Sequence, residues 1–119
     1  LLNTWIPDPE PTRDPHHEKQ LIEFLSRFVP DMSNSFTNIS NVCFEEQCQA
    51  MLDADPNVIS SIMGLFKPSF VRELKERRIK WFATVTSVSE AIIAEEAGAD
   101  ALVVQGSEAG GHRGNFCPY

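Results

Sequence analysis

Three apolar runs begin at Val58, Ile79 and Ala101, 21 and 22 residues apart, and helical patterns fill the two gaps between them. A strand-helix unit recurring at that interval leaves few folds open: consecutive strands run parallel, and a helix crosses over between each pair. The first run, 58–63, is β-branched and ends at Gly64, the pattern of a strand covered on both faces. Lys67 and Pro68 then open a helix carrying Phe70, Val71 and Leu74. The second run, 79–85, is followed by Ser87 and, three residues on, by Glu90, the pairing of a capping box. Its helix runs to Gly98, where a left-handed C-cap belongs. The third run, 101–104, reads as a buried strand delivering a glycine-rich loop.

An open doubly wound sheet and a (β/α)8 TIM barrel both satisfy this cadence. Units this compact and regular suit a closed ring, and no Gly-x-Gly-x-x-Gly stands at any strand-to-helix turn, so the barrel is the expected fold. A complete barrel takes about 250 residues. The 119 residues here therefore amount to one partial barrel domain spanning 1–119, with edges that suggest a fragment.

Upstream, residues 1–6 look like a further strand, and the prolines at 7, 9 and 11 force an extended loop through Thr12 and Arg13. Asp14 and Pro15 form an N-cap and first helical position ahead of Leu21, Ile22, Phe24, Leu25 and Phe28, whose spacing predicts one buried face. A polar stretch, 33–41, leads to a helix with Phe44, Cys48, Met51 and Leu52 on a common face, closed by residues 53–57.

Composition narrows the function classes. With 17 acidic against 10 basic residues the net charge is −7, and no run of Lys or Arg makes a phosphate-tracking stripe, so no nucleic-acid partner is expected. No apolar run approaches the roughly 18 residues that cross a bilayer, and the first residues lack a signal-peptide pattern, which predicts a cytoplasmic protein with no membrane partner. Cys43, Cys48 and Cys117 form no Cys-x-x-Cys pair and read as isolated thiols. His16 and His17 are neighbours on a helix start, pointing about 100° apart, and no metal site is expected.

The stretch 101–114, Ala-Leu-Val-Val-Gln-Gly-Ser-Glu-Ala-Gly-Gly-His-Arg-Gly, is where chemistry is expected, because ligands gather beyond the carboxyl ends of parallel strands. Gly110 and Gly111 permit close backbone approach to an anion or a flat cofactor edge. A histidine ordinarily titrates near neutrality, so His112 suits proton transfer. The Gln105 carboxamide offers both a donor and an acceptor to a heterocycle. On residue types alone, a plain loop with a surface histidine is the more common reading of such a stretch.

The run 98–114, Gly-Ala-Asp-Ala-Leu-Val-Val-Gln-Gly-Ser-Glu-Ala-Gly-Gly-His-Arg-Gly, resembles nearly residue for residue the central motif of the nitronate monooxygenases, formerly 2-nitropropane dioxygenases. Asn3-Thr4-Trp5-Ile6-Pro7 with Pro11-Thr12-Arg13 is similar to that family's third strand and proline loop, and Trp81-Phe82-Ala83-Thr84-Val85-Thr86-Ser87 to its fifth strand. The resemblance implies strands three to six of an FMN-dependent barrel oxidising alkyl nitronates with O2 to a carbonyl compound and nitrite. It further implies His112 as the active-site histidine, acting as base or polarising the nitro group, and Asn3, Gln105, Gly110 and Gly111 as FMN contacts.

The run 61–68, Ser-Ile-Met-Gly-Leu-Phe-Lys-Pro, departs from the family's aromatic or His-Phe-Gly pattern, which bears on pocket shape. The loops expected to hold most of the FMN phosphate fall outside these residues, and the chain alone is expected not to retain flavin. Two alternatives stand beside this reading: a related FMN-dependent enoyl-thioester or NAD(P)H:quinone reductase, and a non-catalytic half-barrel that self-associates through open edges.

Overall fold

The computed structural model describes residues 1–8, 14–29 and 43–116. They fall into two compact units, one of residues 1–8 with 43–119 and one of residues 9–42. The proline-loop residues Pro11, Thr12 and Arg13, the polar stretch 33–41 and Cys117 lie outside the described residues.

The larger unit holds β1 (Leu2–Trp5), α2 (Phe44–Asp53), β2 (Val58–Ile62), α3 (Pro68–Glu76), β3 (Lys80–Val85), α4 (Val88–Glu96) and β4 (Ala101–Val104); α1 (Pro15–Leu25) belongs to the other. All three strand pairings are parallel, and the strands lie side by side in sequence order, β1-β2-β3-β4. That order settles the choice between sheet types. A doubly wound sheet reverses direction at a switch point, whereas right-handed crossovers in unbroken order keep the crossing helices on one face, where α2, α3 and α4 lie here. The fold is an arc of a (β/α)8 barrel, as the cadence predicted.

Register separates two faces. Leu2, Ile59 and Trp81 align on the helix side, followed by Thr4, Ser61 and Ala83; Asn3, Ser60 and Phe82 align on the opposite, open side, followed by Trp5, Ile62 and Thr84. The core fills the helix side: Cys48, Met51 and Leu52 from α2, Val71 and Leu74 from α3 and Ala94 from α4 cover Ile59, Trp81, Ala83 and Val85. Burial pushes the Cys48 thiol up to about 11, with the nearby Glu45 charge adding to the effect, which leaves it an inert packing group.

Helix ends follow the sequence signals with one extension. The Ser87 hydroxyl accepts from the Glu90 amide at 3.2 Å, the N-cap half of the expected box. α4 closes at Ala97 with Gly98 at φ +95°, the left-handed stop that its position implied. Asp14 caps α1 by accepting from the His16 and His17 amides, so both histidines sit on its exposed first turn.

Two expectations need correcting. No residue of α1 is buried: Phe24 and Phe28 meet each other at 5.4 Å, but the smaller unit has no second described element against which the apolar stripe could close. Strand β4 is also not buried. Leu102 and Val103 are exposed and Val104 is 77% exposed, because β4 is the edge of the described sheet and its apolar residues have neighbours on one side alone.

At the amino-terminal end of the sheet, Asp100 ties β3 to the start of β4. Its carboxylate accepts from Lys75 Nζ at 2.6 Å, Lys80 Nζ at 3.0 Å and the Trp81 amide at 3.0 Å. Partial burial opposes ionisation, but the bonds from Lys75, Trp81 and Lys80 and the Lys75 charge outweigh it and hold the group at about 2. A pKa depressed in the folded state means stabilisation that is complete above the unfolded value of about 3.9 and is lost as pH falls from there towards 2. Asp100→Asn is expected to cost about 1–2 kcal/mol at pH 7 and to flatten the stability profile between about pH 4 and 2. Urea unfolding of both forms across that range checks it, and equal stability at pH 7 would remove Asp100 from this role.

Candidate active site

The carboxyl ends of the four strands bring together a loop that leaves β4, rises past the sheet and turns back onto its open face. Gln105 extends the ladder through its amide, which donates to Val85 O at 2.9 Å. A tight turn follows, with the Ala109 amide on Gly106 O at 3.2 Å. The chain then passes Gly110, Gly111 and His112 and returns to the sheet at Gly114.

Gln105 organises that return. Its Nε2 donates to His112 O at 2.8 Å, and its Oε1 accepts from the Gly114 amide at 2.7 Å. One carboxamide thus bridges both sides of Arg113. Each of its polar atoms keeps one further hydrogen-bonding capacity, so a ligand contact by Gln105 stays open. Gly114 is buried, and a side chain there would collide with Ile62: an added Cβ would lie 2.8 Å from Ile62 Cγ1 and 3.2 Å from Thr84 Cγ2. Only glycine lets the backbone seat so closely on the open face of β2 and β3.

His112 itself is exposed and stands against Trp5, with ring centroids 4.9 Å apart and planes tilted by 56°. Trp5 is 51% exposed at the end of β1, on the same sheet face as Asn3. Asn3 lies two residues below it, where its Oδ1 accepts from Ser60 Oγ at 2.7 Å. Gly110 has open space around it, as does Gly111, whose φ is +84°. The structure therefore joins Gln105, His112 and the two glycines in one loop, brings Trp5 to His112, and sets Asn3 lower on the same face.

A polar cleft of about 370 Å³ opens on the other flank of the loop, lined by Thr86, Gln105, Ser107, Gly111, Arg113 and Asn115. His112 is not among its walls. Asn115 carries no motif of its own, and Thr86 was read only as part of the fifth-strand run; both join the cleft when the loop folds back beside the β3–α4 turn. The Trp5–His112 contact, spanning more than a hundred residues of sequence, was equally hidden; the nearest signal was an aromatic at the end of a strand.

A family model described as nitronate monooxygenase matches residues 10–118. A "Probable nitronate monooxygenase" of Staphylococcus saprophyticus is 42% identical over 73 residues, which is 61% of this chain and 21% of that protein. A protein of the same description from Staphylococcus aureus is 58% identical over 53 residues, 44% of this chain and 15% of its own length. This chain thus spans about a fifth or less of those relatives. Among solved structures, a nitroalkane oxidase from Streptomyces ansochromogenes superposes with a TM-score of 0.75 over 98% of this chain and 33% of that one, at 24% identity, a likeness of fold.

The seat of Gly114 yields a direct test. Gly114→Ala should destabilise the chain by about 1–3 kcal/mol, the cost of forcing a methyl group into filled space, and should disturb the Trp5 emission as the loop lifts. A change below about 0.5 kcal/mol with unaltered emission would mean that the loop does not rest on Ile62 and Thr84.

Proposed function

The chain belongs to the nitronate monooxygenase family, and from that premise we propose that it supplies the active-site histidine and part of the FMN-binding wall of an enzyme that oxidises alkyl nitronates with O2 to a carbonyl compound and nitrite. The observation that carries the reading is His112 itself, held at the carboxyl end of a parallel strand arc by Gln105 and backed by Trp5. Ligands of such folds collect at that end.

The residues present fit a flavin. Open backbone at Gly110 and Gly111 accepts a flat, polar ring edge at close range, and Gln105 retains one N–H and one lone pair for it. Asn3 adds a polar group further down the same open face. These four residues are the proposed FMN contacts. FMN, when bound, supplies the capacity to take electrons from the substrate and pass them to O2.

His112 has two tasks consistent with its position. Its imidazole removes the α-proton of a neutral nitroalkane, or donates a hydrogen bond to the nitro oxygens and so steadies negative charge there. Trp5 covers one side of the imidazole and limits its movement there. No helix among the described residues is long and apolar enough to cross a membrane.

In a complete barrel containing this chain, His112→Asn is expected to lower turnover of a neutral nitroalkane by about 10² or more while FMN remains bound. Supplying the preformed nitronate separates the two tasks: restored turnover assigns His112 to proton removal, and continued loss assigns it to polarising the nitro group. Unchanged turnover on both substrates would exclude His112 from the chemistry, and steady consumption of NAD(P)H by the parent enzyme would favour the reductase reading instead.

A further inference from the structure

The Glu90 carboxylate does more than start a helix. In a capping box it would be needed only at the amides beside the N-cap. Here Oε2 accepts from the Thr86 amide at 2.6 Å and from the Thr86 hydroxyl at 2.9 Å, while Oε1 reaches across to the Phe116 amide at 2.9 Å. Phe116 is 26 residues away in sequence and ends the described part of the His112 loop. Nothing in the α4 cap requires that last bond. Partial burial opposes its ionisation, but the Phe116 and Thr86 amides, the Thr86 hydroxyl and the Ser87 amide together lower its pKa below the ordinary value, so the charged acceptor is present at neutral pH.

The loop is therefore fastened at two places. Gln105 holds its middle, at His112 O and the Gly114 amide, and Glu90 holds its far end, two residues beyond Gly114. Between those fasteners lies the Gly114 seat on Ile62 and Thr84. Because His112 is exposed and, among the described residues, meets the ring of Trp5 alone, its position depends on how firmly the returning part of the loop is pinned.

We propose that Glu90 is a positioning residue for His112, its carboxylate bridging the β3–α4 turn to the Phe116 amide and so fixing the loop that carries the imidazole. The proposal rests on the reading of His112 as the working side chain, but its test does not. With the Trp5 ring 4.9 Å away, the imidazole Cε1–H resonance of His112 should carry a ring-current shift, and its absence in His112→Asn identifies it against the other two histidines. In Glu90→Ala that resonance should move most of the way to its position in Trp5→Leu, and the Gly114 and Phe116 amides should exchange roughly tenfold faster while Ile59 and Trp81 in the core stay protected. Glu90→Gln, which keeps one acceptor oxygen, should restore part of the shift.

An unmoved His112 resonance in Glu90→Ala overturns the proposal. Should that variant not fold, Glu90→Gln decides: a displaced His112 resonance with unchanged core protection supports the role, and an unmoved one overturns it. Failure of the nitronate reading would appear in turnover and leave these spectra as they are.

Discussion

Trp81 is the residue through which the sheet, the helix layer and the start of the last strand are joined. Its indole is fully buried, packs against Phe66 at 5.6 Å, and donates through Nε1 to Ser61 Oγ at 3.0 Å. Ser61 in turn donates to Gly64 O, so β3, β2 and the turn after β2 share one chain of hydrogen bonds. The backbone of Trp81 accepts from the Asp100 amide and donates to the Asp100 side chain, which sets the register at which β4 begins. Burying an indole is worth several kcal/mol only if its N–H is satisfied. Ser61 meets that condition, which explains a buried serine beside Ile59 on the helix-facing side of β2.

The ends of the sheet divide the labour. The amino-terminal end is closed by charge: Asp100 between Lys75 and Lys80. The carboxyl end is closed by a loop whose fasteners are side-chain amide and carboxylate groups on backbone donors and acceptors. Gln105 and Glu90 hold the loop through its backbone, at His112 O and the Gly114 and Phe116 amides, while the His112 ring meets Trp5. A scaffold of that kind can present an imidazole without consuming it.

Much of this was legible in advance because the signals are local. The spacing of Val58, Ile79 and Ala101 records one strand plus one crossover helix, and the Ser87 and Gly98 caps mark where a helix must begin and end for backbone reasons. Signals that depend on a neighbour failed or fell short. The apolar stripe of α1 and the apolar run of β4 were both read as buried, since hydrophobic residues report a need for cover and not what supplies it. Glu90 was recognisable as a capping residue, yet its bond to Phe116 joins two segments that nothing in the sequence pairs.

Sequence by itself determined the parallel α/β character, the order of the elements and the glycine-rich loop with His112, because strand and helix periodicity, capping and turn chemistry are settled within a few residues of each other. Tertiary structure decided the rest: that the strands lie in unbroken order with one face open, that Trp5 is the neighbour of His112, and that Gln105 and Glu90 fasten its loop. Those are encounters between residues far apart in the chain, and they exist only once the sheet has brought the strand ends into a common rim.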